Sequence, residues 1–249
     1  MEITAHLDAL RREGTLLGDA AARTDPAAPV PTCPEWRLRD LVLHIGQVHR
    51  WVTGTVRDRL PVPMDAERQR AAWGPEPADA DLVEWFRTGH ATLVDTLTAA
   101  PADLDCWTFL PAPSSLAFWA RRQAHETAVH RIDADAAAGA EGPHTDRRLA
   151  LDGIDELTRF LTARSAARSE RRRTIQISPD DGPGRWLLTI GPEPLGVEHA
   201  ERPADLTLTG PARDLYLLLW NRLPAGTGRV VTAGDASVLD LWRETATIG

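Results

Sequence analysis

The chain has 249 residues, enough for one large domain or two modest ones, and its 36 acidic residues outnumber 28 basic ones to give a net charge of −8. That balance argues against a nucleic-acid surface, which needs clustered positive charge. The opening MEITAHLDALRREG is polar and amphipathic, unlike a signal peptide, and no apolar stretch approaches the roughly 20 residues of a membrane span. A soluble cytoplasmic protein is expected, with Cys33 and Cys106 reduced and not spaced as metal ligands.

Hydrophobic periodicity predicts a first amphipathic helix over residues 2–22, with Ile3, Leu7, Leu10, Leu16 and Leu17 facing a core. The proline-rich run DPAAPVPTCPEW stops it. A second helix is predicted from Trp36 to Asp58 with Leu41, His44, Val48, Trp51 and Val52 on one side. A loop carrying Pro61, Pro63, Pro75 and Pro77 follows. The third helix, 79–99, buries Leu82, Trp85, Phe86, Leu93 and Leu97; the fourth spans 115–139 and ends at Gly139 and Gly142; the fifth runs from Asp146 to Ala167.

From Thr174 the texture changes. TIQISP, RWLLTIG and ADLTLTG read as strands, PARDLYLLLWNRL as a helix, GRVVTAG as a last strand and DASVLDLWRETA as a closing helix. The expected fold class is therefore α+β in two domains: an up-and-down four-helix bundle over 1–168, then a small α/β domain over 169–249. The run Arg171-Arg172-Arg173 reads as a solvated linker.

Three residues suggest a metal site. Glu126 and His130 are four apart in RRQAHETAVHRIDAD, so a helix sets them one turn apart on one face. A set of two histidines and one carboxylate, completed by His44, suits a divalent cation such as zinc, and three protein ligands leave a fourth position open. Position 129 is Val, so His125-Glu126 does not begin an HExxH motif; His125 and His130 lie about 140° apart and do not share one ion easily. On the second helix His44 falls in the stripe of Leu41, Val48 and Trp51, whereas His49 is expected on the solvent side with Gly46 and Arg50. The competing reading leaves Glu126 at the surface and His130 as an ordinary core histidine.

Around this set, Asp40 reads as a first-turn acid favoured by the helix dipole. Asp133 shares the ligand face and is a candidate to orient His130 or to carry a proton. Arg222, ending LYLLLWNR, is either a cation complementing its helix terminus or a bidentate clamp for a carboxylate.

The segment TCPEWRLRDLVLHIGQVHRW resembles the CPxW…RDLxxH signature of the mycothiol-dependent maleylpyruvate isomerase family. HETAVHRIDAD resembles that family's ExxxHRxD segment, and ADLTLTGPARDLYLLLWNR with Gly234-Asp235 resembles its C-terminal domain. The likeness runs through nearly the whole chain in the right order. It implies a DinB-like bundle joined to a sterol-carrier-like α/β domain, zinc held by His44, Glu126 and His130, and functional roles for Asp133 and Arg222. It also implies mycothiol, the small thiol of actinobacteria, as cosubstrate. This agrees with a GC-rich coding bias, since all 28 basic residues are arginine. Arg37 departs from the Ser or Thr usual there, which leaves the start of the second helix without a capping hydroxyl. The activity expected is addition of a metal-activated thiolate to an electrophilic small molecule, as cis-trans isomerisation or S-transfer. A non-catalytic zinc or small-thiol binding protein and a thiol-free metal hydrolase are the rival readings.

Overall fold

The computed structural model describes residues 1–140, 145–164, 168–224 and 226–246. The chain divides into two compact units, Met1–His144 and Thr145–Gly249.

The first unit is a helical bundle of α1 (Ile3–Ala22), α2 (Leu38–Arg57), a short α3 (Ala66–Trp73), α4 (Leu82–Ala99) and α5 (Ser115–Ala137). Local chemistry sets the ends. Ser114 caps α5 by accepting the Ala117 N–H at 3.1 Å, and Asp65 caps α3 by accepting that of Arg68 at 2.8 Å. The α2 start lacks a capping hydroxyl, yet the Asp40 carboxylate accepts the Arg37 N–H at 2.8 Å. That contact supplies one half of a capping box and gives Asp40 the first-turn role its position suggested. Gly139, at φ 70°, follows the C-terminus of α5, while Gly142 lies outside the described residues.

In the bundle α1 packs against α4 and α5, and α2 packs against the same two. Paired contacts fix the directions. Glu13 meets Arg131 and Arg23 meets Asp135, so α1 and α5 are parallel; Gly46 meets Trp85 and Gly89 meets Arg50, so α2 and α4 are parallel. Leu10–His90 with Asp19–Arg87, and His44–Glu126 with Trp51–Trp119, run in opposite senses, so α1 is antiparallel to α4 and α2 to α5. The helices thus run up, down, down, up, not in the simple up-and-down order expected, because the long α2–α4 connection carries the chain back past the bundle. That connection holds α3, which the proline-marked loop had hidden.

The predicted stripe on α2 needs correction. His49, expected at the surface, is completely buried, and its Nε2 lies 2.9 Å from Thr127 Oγ1. Gly46 is buried too, and a Cβ there would collide with the Trp85 ring. Arg50 lies 3.6 Å above that ring and donates to the Gly46 and Trp85 carbonyls. The reason is that α2 is packed on two sides, by α4 and by α5, so one apolar stripe underestimates what it buries. Leu16, expected in the core, is 42% exposed, while Leu7, Leu10 and Leu17 are buried.

In the second unit, α6 (Arg147–Arg164) precedes β1 (Arg173–Pro179), β2 (Trp186–Ile190), β3 (Gly196–Glu198), β4 (Leu206–Gly210), α7 (Ala212–Leu219), β5 (Val231–Gly234) and α8 (Ser237–Thr245). The sheet order is β3-β2-β1-β4-β5, antiparallel except for the parallel β1–β4 pair. Ile175, Ile177, Leu188, Leu206 and Leu208 are fully buried on one face, and Trp242 of α8 donates its indole N–H to the Leu219 carbonyl at 3.0 Å. The unit begins ahead of α6, not after it as the texture change suggested, because α6 packs on α7 and β3. Periodicity shows that a helix has an apolar face but not which layer covers it. The short β3 was likewise unread.

His49 makes the bundle acid-sensitive. Burial first, and then the neighbouring His90, hold its pKa well below 6.5; Arg50 and His130 push the same way against Glu126. His90 is lowered as well, chiefly by burial. Both stay neutral in the fold but gain protons in the unfolded chain below the ordinary value, so stability falls as pH drops through about 6.5. Each adds up to about 1.4 kcal/mol per pH unit. Thermal melts should decline as the pH is lowered from about 6.5 to 5. The decline should be shallower in His49→Gln.

Candidate metal centre

The centre is built by two antiparallel helices and one loop. His44 projects from α2, Glu126 and His130 from α5, and one donor atom from each lies within 4.8 Å of the other two. One oxygen, Glu126 Oε1, is 3.6 Å from His44 Nε2 and 3.5 Å from His130 Nε2. Ligands about 2.1 Å from a tetrahedral zinc stand roughly 3.4 Å apart along each edge. The donor set therefore has the chemistry and close to the spacing that such a cation requires. His44 is 38% exposed in its side chain and His130 is nearly buried, so the centre is reached from the His44 side. That differs from the core-facing position expected for His44: His49 takes the interior, and His44 turns along α5.

The electrostatics explain how a carboxylate persists here. Burial would raise the Glu126 pKa, but the Arg122 guanidinium and hydrogen bonds from His130 and His44 outweigh it and hold the group well below 4.5. Arg122, itself buried, bonds Glu126 Oε2 from one turn earlier on α5. His130 shows the converse. Burial opposes its charge, yet Asp133 and Glu126 raise its pKa to about 9. Within the protein, Arg122 and His130 balance the charge on Glu126.

Behind the donors, His130 Nδ1 is 3.1 Å from Asp133 Oδ2, and Asp133 is fully buried. This is the arrangement in which a carboxylate fixes a ligand histidine, leaving Nε2 for the ion. Asp133 in turn accepts from Thr32 Oγ1 at 2.6 Å and is 3.8 Å from Cys33 Sγ. Trp36 stacks on His130 at 5.9 Å and tilts over His44 at 5.0 Å. Sequence reasoning missed Arg122, Thr32 and Trp36 as neighbours of the site. Arg122 was legible as the residue four before Glu126; loop residues carry no period that could aim them.

His125 lies outside this cluster. It is fully buried, its ring edge-on to His6 at 6.1 Å. Arg222 belongs to the second unit, just past α7, where its guanidinium donates to the Trp220 carbonyl at 2.9 Å. That contact satisfies a helix-end carbonyl.

A helical bundle with a cluster of two histidines and a glutamate, followed by a five-stranded α/β unit, defines a class of two-part proteins with a candidate metal centre. The pattern described as the mycothiol maleylpyruvate isomerase N-terminal domain matches residues 7–135, and that of the MDMPI C-terminal domain matches 148–241. The chain belongs to the mycothiol maleylpyruvate isomerase family. A histidine-to-alanine variant of the mycothiol-dependent maleylpyruvate isomerase aligns over 94% of this chain and 93% of its own, with a TM-score of 0.66 at 12% identity. The same enzyme without that substitution gives 0.65 at 11%, over the same shares. At such identities the likeness shows the fold. No curated protein matches the chain. Among the described residues, no helix is long and apolar enough to cross a membrane.

Glu126→Gln should destabilise the metal-free protein, because the buried Arg122 loses a charged acceptor. A cost of about 2 kcal/mol is expected in urea unfolding with chelator present. Equal midpoints for variant and parent would show that the ion pair contributes nothing to the apo fold.

Proposed function

We propose that this protein is a zinc-dependent enzyme that uses mycothiol as cosubstrate, adding its thiolate to an electrophilic small molecule. The observation that supports it most is the convergence of His44, Glu126 and His130 on one point, with Asp133 behind His130. Family membership supports the thiol, because the family includes a mycothiol-dependent isomerase.

Zinc, when bound, supplies a Lewis-acidic position at which a thiol is held as thiolate near neutral pH. The chain's own residues do the rest. His44, Glu126 and His130 fill three ligand positions and leave the exposed His44 side for the thiol. Asp133 holds the Nδ1–H of His130, so that its Nε2 presents a lone pair, and it is placed to accept or return a proton. Arg222 is assigned a substrate carboxylate on its chemistry and its motif. In the isomerase form of the reaction, the sulfur adds to a cis conjugated alkene and a carbon takes up a proton. The new single bond rotates, and loss of that proton and of the thiol yields the trans alkene. In the transfer form the carbon–sulfur bond is kept.

Purified protein should carry about one zinc, or another divalent ion, per chain, and His44→Ala should lose both metal and turnover while staying folded. Metal analysis and an assay with and without mycothiol decide this. Full metal content in His44→Ala sinks the ligand assignment. Turnover that is indifferent to mycothiol sinks the cosubstrate and leaves a zinc-dependent hydrolase.

A further inference from the structure

The loop between α1 and α2 is a built structure. The Val30 N–H donates to the Trp36 carbonyl at 3.1 Å, Cys33 N–H to Val30 at 3.0 Å and Trp36 N–H to Cys33 at 2.8 Å; Pro29 and Arg37 form an isolated β-bridge. This closed turn holds two side chains against the donor cluster from the same side. Trp36 covers the imidazoles of His44 and His130, and the Thr32 hydroxyl donates to Asp133 Oδ1.

We infer that Thr32 is a positioning residue of the metal centre, acting through Asp133 to set the orientation of the His130 ring. A carboxylate has two oxygens and rotates about one bond. At 2.6 Å the Thr32 hydroxyl takes Oδ1, which leaves Oδ2 turned to the His130 ring at 3.1 Å. With Nδ1–H committed to Oδ2, the ring turns Nε2 towards the oxygen of Glu126 that also faces His44. Removing the hydroxyl withdraws a strong donor from a fully buried carboxylate. Without the donor on Oδ1 the carboxylate is held less firmly, and with it the face of His130. Because the Trp36 indole packs on His130 from the same loop, the loop meets the ring both on its face and, through Asp133, at its Nδ1–H. Residues behind a metal-binding histidine characteristically alter affinity by about ten- to a hundredfold.

The inference rests on the metal reading above, and its test separates the two. Thr32→Val keeps the shape and removes the donor; Thr32→Ser keeps the donor. Zinc affinity is measured by chelator competition, and the His130 Nδ1–H hydrogen bond in chelator-treated protein by proton and nitrogen-15 NMR, its signals assigned by their loss in His130→Gln. Thr32→Val should weaken zinc about tenfold and shift the Nδ1–H signal out of its hydrogen-bonded position, with both restored in Thr32→Ser. If Thr32→Val unfolds, Thr32→Ala takes its place in both measurements. Wild-type affinity and an unchanged Nδ1–H signal in the hydroxyl-free variant overturn the role of Thr32. If the parent binds no zinc, the metal reading fails, and the NMR comparison still decides whether Thr32 orients His130.

Discussion

Helix α5 has to keep Arg122, Glu126, His130, Arg131 and Asp133 charged or hydrogen-bonded among apolar neighbours, and the rest of the bundle is arranged around that demand. Each neighbouring element answers part of it. Helix α1 supplies Glu13, whose Oε2 accepts from Arg131 Nε at 2.8 Å with both side chains 1% exposed. The α1–α2 loop supplies Thr32 for Asp133, and α2 supplies His44 for Glu126. Charges so buried are tolerated only when partnered, so a slip of α5 by one turn would strand several at once. That fixes the register of α5 against three other segments.

The same constraint shapes the candidate centre. Its donors stand on two packed helices, and Arg122 and His130 meet the charge on Glu126 from within the protein. Sites carried by helices hold geometry more tightly than sites on loops. The one loop involved is itself closed by backbone hydrogen bonds before it touches Asp133. Family membership then limits what such a centre is for, although 12% identity to a solved relative leaves the substrate to be determined.

Much of this was legible along the chain. Every main helix and four of the five strands follow from period, turn residues and caps, because those signals act between residues near in sequence. The ExxxH spacing placed Glu126 and His130 together, and Asp133 one turn on, by helix geometry alone. Other features were not readable. His49 sits in an interior that α4 and α5 close from two sides, and α3 and β3 are too short to show a period. The assignment of α6 to the sheet-bearing unit depends on which face it covers.

What the sequence by itself determined is the inventory: the two-part α+β composition, the two candidate ligands on one helix turn and the third on another helix. Tertiary structure alone decided which histidine of α2 points inward, how Arg122 and Asp133 flank the donors, and that Thr32 and Trp36 reach the centre across about a hundred residues of chain. The physical reason is range. Helix periodicity aims a side chain relative to its own axis, whereas burial, charge pairing and the aim of a loop are set only when separate segments pack.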